Sequence, residues 1–444
     1  MNAVANFFTR LVNRYLPDPL VIAIGLTVFT VLLAIAFQGT SPVDAVRYWG
    51  DGFWDLLEFT MQMTVVLLSG YILAKTPLVD GLLDRLTGRI SSPRAAIVVA
   101  TLVGAVGSWI NWGFGLVMGG IVAQKLAMNV RGLHYPLAIA AGYSGFALYG
   151  IGLSGSVPLL IATPGHFLED RIGIVPLGDT VFSPVLLLTS LAVVLLLPLF
   201  NTLLLPKDPA KVVEIDRSTV PAPPSIDRDA LSERTLGQRM NDSPWVGIVI
   251  GAMALLYAIL YFTDGGTLDL NAVNFIFLFL GITLFARPSR FLAAVADGIR
   301  TIAGIVIQYP FYSGIMGVLV GSGLVVAFAN AFSEFSSGQT LPLWSFVSAG
   351  FINILAPSGG GQWAVQGPVM VEAAQSLGAD VAATALAVQI GDQWTNMIQP
   401  FWILPVLAIS GLKLRDVMGY LVLVLVFLGL IFGTAVTVWG FISA

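Results

Sequence analysis

Apolar runs of about twenty residues, each long enough to cross a bilayer as a helix, recur from one end of this chain to the other. They fall at 20–37, 54–75, 94–128, 136–164, 183–205, 244–262, 271–286, 299–330, 341–376, 381–411 and 416–441. A soluble protein would carry about a quarter charged residues, whereas only 10% of these 444 residues are charged. The fold class expected is therefore an all-α polytopic membrane protein. Cysteine is absent and only His134 and His166 are present, which excludes disulfide and thiolate chemistry and argues against a histidine metal centre.

Four of the runs are interrupted by residues that do not sustain a helix. The sharpest interruption is Asn353-Ile354-Leu355-Ala356-Pro357-Ser358-Gly359-Gly360-Gly361-Gln362-Trp363, within 341–376. Its counterpart within 94–128 is Asn111-Trp112-Gly113-Phe114-Gly115. Each is read as the apex of a re-entrant hairpin that enters and leaves on one side. The runs 136–164 and 381–411, broken around Gly150–Ser156 and Asp392–Pro400, are read as crossing helices with unwound centres. Backbone freed at membrane depth is tolerated only inside protein or along a wet cavity, and transporter folds build solute sites from such breaks. The alternative for the glycine-rich stretch is an extramembrane turn between two short helices.

The breaks recur in register. Asp51-Gly52 matches Asp297-Gly298 and Gln62 matches Gln308, both displaced by 246 positions. Ile110-Asn111 matches Ile352-Asn353 at a displacement of 242, and Gly145 matches Gly391 at 246. Five crossings separate Asp51 from Asp297, an odd number, so the repeat is expected to be inverted. With the N-terminus in the cytoplasm, 19 of the 21 Lys and Arg residues fall on the inner side, all but Arg47 and Arg171, as the positive-inside rule requires. The C-terminus then ends in the periplasm or outside, and the membrane expected is the bacterial inner one. The organisation expected is an interfacial amphipathic helix over 1–19, a first inverted repeat over 20–205, a cytoplasmic linker over 206–243, a connecting transmembrane helix over 244–262 and a second inverted repeat over 271–444. Asp229 to Met240 is expected to add a short surface helix to the linker.

The residues able to bind a solute lie at the breaks. Gln389, Asp392, Asn396 and Gln399, spaced i, i+3, i+7 and i+10, share one helix face, with Thr395 beside them. An acid at membrane depth is a functional candidate because burying its charge is costly; the structural alternative for Asp392 is a helix cap. No Lys or Arg falls at membrane depth, so a substrate carboxylate is expected on backbone N–H groups at helix N-termini. The substrate candidates are Asn111, Gly113, Gly115, Ser154, Ser156, Asn353, Ser358, Gly359, Gly360, Gly361, Gln362 and Asn396. Asp392, Thr395 and Asn396 are the candidates for a coupling ion. A proton suits the carboxyl group, since burial favours its neutral form, and sodium suits the hard oxygens. No other cofactor and no nucleic-acid partner is expected. Gln62 and Gln308 read either as a pathway pair or as helix–helix glue. Gly152-Leu153-Ser154-Gly155 matches a serine-protease motif, but the chain offers no histidine after His166 to serve as its base, so an enzyme is not expected.

Several longer stretches carry a family resemblance: Leu16-Pro17-Asp18-Pro19-Leu20, Trp49-Gly50-Asp51-Gly52-Phe53-Trp54, Ile110-Asn111-Trp112-Gly113-Phe114-Gly115-Leu116, Ala356-Pro357-Ser358-Gly359-Gly360-Gly361 and Ala408-Ile409-Ser410-Gly411-Leu412. Through them the chain resembles the bacterial short-chain fatty acid transporters, acetoacetate and butyrate permeases among them, over nearly its whole length. That family is in turn similar in architecture to a broader ion-transporter superfamily. The resemblance implies a secondary carrier of small monocarboxylates, a homodimer in lipid, with a scaffold and an elevator-like transport domain. The hairpins and broken helices would form the transport domain, and the spans 20–37, 183–205, 271–286 and 416–441 the scaffold. The alternatives are a carrier of another organic anion, such as a dicarboxylate, and a passive channel.

Overall fold

The structure, a computed structural model, describes residues 19–55, 57–166, 168–216, 235–266, 270–355, 357 and 359–443. The amphipathic helix expected over 1–19 lies almost entirely outside the described residues, as does the first half of the surface helix expected from Asp229. The described residues form helices and connecting turns, with no strand among them.

In the first half the helices are α1 (Pro19–Gln38), α2 (Pro42–Gly52), α3 (Leu57–Ala74), α4 (Pro77–Gly88), α5 (Pro93–Ile110), α6 (Trp112–Asn129), α7 (Tyr135–Ser144), α8 (Ser156–Ile161), α9 (Glu169–Ile172) and α10 (Pro184–Leu203). A 3₁₀ segment, Gly145–Ile151, continues α7. After the linker come α11 (Leu236–Asn241), α12 (Pro244–Thr263), α13 (Leu270–Phe285), α14 (Pro288–Gly321), α15 (Leu324–Ser333), α16 (Leu341–Leu355), α17 (Gly359–Leu377), α18 (Val381–Thr395), α19 (Pro400–Ser410) and α20 (Leu414–Ile442). Among the described residues, five stretches are long and apolar enough to cross a membrane: α5, Tyr135–Ile161, α10, α12 and α20. The short helices α2 and α4 were not legible as apolar runs. They start, as α5 and α10 do, on a Ser-Pro or Thr-Pro pair whose hydroxyl accepts a first-turn N–H, with proline at the first helical position where no N–H is needed.

Two packing groups emerge. α14 lies along α1, α2 and α3, while α13 bridges α3 and α12. The other group holds the broken elements: α5 against α6 and α7, and α16 against α18, with α17 on α18. The spans 183–205 and 416–441 pack with this second group. α10 packs on α5 and on α20, and α20 also packs on α7, α16 and α18. They follow the broken elements because those elements have apolar backs that need covering. The groups meet where α3 crosses α6 and α14 crosses α19.

Around the first hairpin the backbones are in contact. A Cβ built at Gly104 of α5 would lie 2.1 Å from the Gly142 carbonyl oxygen, and one at Gly119 of α6 would lie 2.4 Å from it. Small residues at such crossings let helices associate by backbone packing where lipid supplies no hydrophobic drive.

Candidate functional site

The breaks fall close to where the residues indicated, with two corrections. Asn111 alone separates α5 from α6; it has an extended conformation, and its side chain caps α6 by accepting the Phe114 N–H at 2.9 Å. In the second hairpin the interruption is shorter than the sequence suggested. α16 runs on to Leu355 and α17 begins at Gly359, so the three glycines form the first helical turn rather than a loop. The first turn is where glycine is least harmful, because its N–H groups have no intrahelical carbonyl to bond. Likewise Asp392 lies in the last turn of α18, not in the unwound stretch, which is confined to 396–399. Ser358 lies outside the described residues.

The two broken helices are bonded directly to each other. Tyr149 in the 3₁₀ segment donates its hydroxyl to Asp392 Oδ1. The Gly150 N–H donates to Gln393 Oε1 at 2.7 Å, and the Val157 N–H to Gln389 Oε1 at 3.0 Å. Gln389 Nε2 reaches the Tyr149 hydroxyl at 3.3 Å, and the Tyr143 hydroxyl donates to the Asn396 carbonyl at 2.6 Å. Among the described residues Asp392 is the one buried acid, and no Lys or Arg is buried.

Each hairpin apex is anchored on a break. The Trp112 N–H donates to Ser154 Oγ at 2.9 Å. Asn353 Nδ2 lies 2.8 Å from the Asp392 carbonyl oxygen, 2.8 Å from Thr395 Oγ1 and 2.7 Å from Asn396 Oδ1. An amide has two hydrogens to give, so three oxygens converge on a point that it cannot satisfy in full. Gln399 Nε2 donates to the Asn353 and Ile354 carbonyls at 2.8 and 2.7 Å, closing the end of α16. Asn353 Oδ1, Asp392 Oδ2 and Gln399 Oε1 are buried acceptors without a hydrogen-bond partner among the described residues, and Gln393 Nε2 is such a donor.

Gly359 and Gly360 stand at the mouth of this cluster. A Cβ at Gly359 would lie 3.3 Å from both Asp392 Oδ1 and the Tyr149 hydroxyl. At Gly360, among the described residues, it would meet Ser156 Cβ alone, in van der Waals contact at 3.9 Å. The first turn of α17 thus faces the Tyr149–Asp392 pair, with room for a methyl group beside Ser156. An aromatic wall backs it: Phe146 stacks on Tyr149 at 4.7 Å, Trp402 packs on Phe146 at 5.4 Å, and Trp112 meets Trp402 edge-on at 5.8 Å.

Of the expected substrate residues, the structure brings together Ser156, Asn353, Gly359, Gly360 and Asn396 with Asp392 and Thr395, while Ser154 accepts the Trp112 N–H. Gly361 follows in the same turn. Others point elsewhere. Gly115 abuts the Gly107–Ser108 backbone of α5, and Gly113 lies against Gly70 of α3. Gln362 turns back into its own hairpin, donating to the Ala349 carbonyl and to Gln366. Tyr149, Gln393 and the partners of Gln389 were missed; a tyrosine within an apolar run gave no sign that its hydroxyl meets an acid 243 residues away. Gln62 bonds Asn271 across α3 and α13, which places it in the first packing group as glue between helices.

The chain matches the family model described as short chain fatty acid transporter over residues 1–439. A protein of Escherichia coli (strain K12), provisionally named a short-chain fatty acid transporter, is 39% identical over 98% of this chain and 99% of its own length. A Haemophilus influenzae protein with the same provisional name is 38% identical over 97% of this chain and 98% of its own. Among solved structures, the YdaH transporter of Alcanivorax borkumensis aligns with a TM-score of 0.49 at 17% identity, covering 95% of this chain and 98% of that one. MtrF of Neisseria gonorrhoeae, described within a class of antimetabolite efflux pumps, aligns with a TM-score of 0.47 at 17% identity, covering 98% of each chain.

Proposed function

The chain belongs to the short chain fatty acid transporter family, and from that premise we propose that it is a secondary carrier whose substrate head group sits between the first turn of α17 and the Tyr149–Asp392 pair. The observation that carries this reading is the meeting of a helix N-terminus with a buried carboxyl group where, among the described residues, no basic side chain is buried. A carboxylate ligand finds donors in the N–H groups of a first turn and in the positive end of the helix dipole. It also finds a like charge beside it. A cation must therefore accompany it, and the oxygens of Asp392, Thr395 and Asn396 that converge on Asn353 lie at the C-terminal ends of α16 and α18, where dipoles favour positive charge.

In this reading the hairpins are re-entrant, the repeats are inverted, and the second packing group moves against the first as an elevator. The carrier works as a homodimer in the bacterial inner membrane, with its N-terminus in the cytoplasm and its C-terminus outside. The aromatic wall favours small monocarboxylates over dicarboxylates, which need a second cationic contact.

The test is uptake of labelled acetate, butyrate and acetoacetate by proteoliposomes under imposed proton or sodium gradients. Saturable uptake with counterflow, concentrated by one of those gradients, is the expected result. Asp392→Asn should keep exchange of internal for external substrate and lose gradient-driven accumulation. Flux that neither saturates nor shows counterflow would identify a channel. Unimpaired accumulation by the Asn variant would leave Asp392 as a structural acid.

A further inference from the structure

We propose that this site also takes short primary carboxamides, of two to four carbons, as neutral ligands. The inference rests on the placement of the substrate head group given above. Two side chains in the cluster have one end fixed and the other vacant. Asp392 Oδ1 receives the Tyr149 hydroxyl, and Asp392 Oδ2, equally buried, has no partner among the described residues. Gln393 Oε1 receives the Gly150 N–H, which settles the orientation of its amide, and its Nε2 has no partner among them. Residues 392 and 393 are bonded by residues 149 and 150, so both unpartnered atoms belong to side chains that lie along the contact between the two breaks.

The vacancies are one acceptor and one donor. A carboxylate ion offers acceptors alone: it satisfies the glutamine and meets Asp392 as a like charge. A primary carboxamide offers an N–H pair to Asp392 Oδ2 and a carbonyl oxygen to a glutamine donor. Gln389 Nε2, 3.4 Å from the Cβ position of Gly359 and making a 3.3 Å bond to Tyr149, is a second such donor at the mouth. An N–H bonded to an ionised carboxylate is among the stronger hydrogen bonds, and an amide brings no charge that a cation must offset.

The experiment uses the purified full-length protein in lipid nanodiscs, with displacement of labelled butyrate and thermal stabilisation as two readouts. Three neutral probes are compared: butyramide, N,N-dimethylbutyramide, which lacks the N–H pair, and methyl butyrate, which has acceptors only. Butyramide should act within about tenfold of butyrate itself, and the other two at least a hundredfold more weakly. In Asp392→Asn the Tyr149 hydroxyl still selects the amide oxygen at the Oδ1 position. The new Nδ2 therefore fills the Oδ2 position and turns an acceptor into a donor. Butyramide should then lose at least tenfold and methyl butyrate should gain. Equal potency of butyramide and its dimethyl derivative overturns the proposal, as does an unchanged order in the variant. If the variant fails to fold, the order in the parent protein decides. If butyrate shows no saturable binding, the carrier reading fails, and thermal stabilisation by the three probes still decides the carboxamide question.

Discussion

Gly360→Val separates folding from transport. Among the described residues a Cβ at Gly360 would meet Ser156 Cβ alone, at 3.9 Å, so the added Cβ itself creates no clash. Valine is also a few tenths of a kcal/mol better than glycine in a helix, so the thermal midpoint should hold or rise slightly. What changes is the approach to the first turn of α17 beside Ser156, where, in the proposed site, the isopropyl group would stand between a bound head group and that turn. Losing two hydrogen bonds to a charged group, each worth about 1.5–3 kcal/mol, amounts to about 3–6 kcal/mol, or roughly a hundredfold to ten-thousandfold in affinity. The assay is saturable butyrate uptake in proteoliposomes, paired with a thermal melt of the same preparation. Gly360→Ala, which adds only the Cβ, should fall between parent and Val. Gly359→Val is a poorer probe, because its Cβ would press on Asp392 and Tyr149 at 3.3 Å and disturb the cluster itself. A folded Gly360→Val protein with the parent's KM would remove the first turn of α17 from the binding site.

Other substitutions test the frame. Asn353→Ala removes the amide that ties the second hairpin to Asp392, Thr395 and Asn396 and should destabilise by about 2–3 kcal/mol, seen as a lower denaturation midpoint. Gly119→Ala would place a Cβ 2.4 Å from the Gly142 carbonyl oxygen, an overpacking that should cost about 1–3 kcal/mol in the same melt. His134 is buried at the head of α7, bonded to the Val213 N–H at 3.0 Å and to the Tyr420 hydroxyl at 2.8 Å, and burial pushes its pKa down to about 4. Its depressed folded pKa means that the unfolded chain binds the proton more readily. Its contribution is thus whole above pH about 6.5 and is lost as pH falls towards 4, by about 3 kcal/mol in all. A midpoint-against-pH profile of His134→Gln should lack that decline.

Much of the frame was legible because long apolar runs and their interruptions have few physical solutions in lipid. Asn111 and Pro357 marked the two apexes, and Pro400 marked the restart after the second break, since proline opens a helix without needing its N–H. What stayed hidden depended on distant partners. Glycines at 359–361 look like helix breakers to a local reading, yet they open a helix, where the first N–H groups have no intrahelical partner to lose. The partners of His134 were hidden because nothing near it in the chain reveals Val213 or Tyr420. The packing of 183–205 and 416–441 against the broken elements stayed hidden for the same reason: an apolar span looks alike whether its neighbour is lipid or another helix.

The charge arithmetic of the site links these details to coupling. Asp392 is held between the ends of two helices, and among the described residues no buried Lys or Arg balances it. A monocarboxylate bound at the first turn of α17 would bring the site to two negative charges. Crossing an inside-negative membrane inward then opposes a field worth roughly 2.3 kcal/mol per charge per 100 mV, on top of the burial of both charges. One cation among the Asp392, Thr395 and Asn396 oxygens halves that opposition, and a second removes it. Because Asp392 returns with the empty carrier, its own charge cancels over the cycle, and the net charge moved is that of the substrate plus its cations. One cation per monocarboxylate makes the cycle electroneutral, driven by the cation's concentration gradient alone; two make it respond to voltage. In a carrier of the kind proposed, the buried acid would thus raise the barrier to a substrate travelling alone while leaving the equilibrium untouched, an asymmetry that would suppress leak of uncoupled substrate.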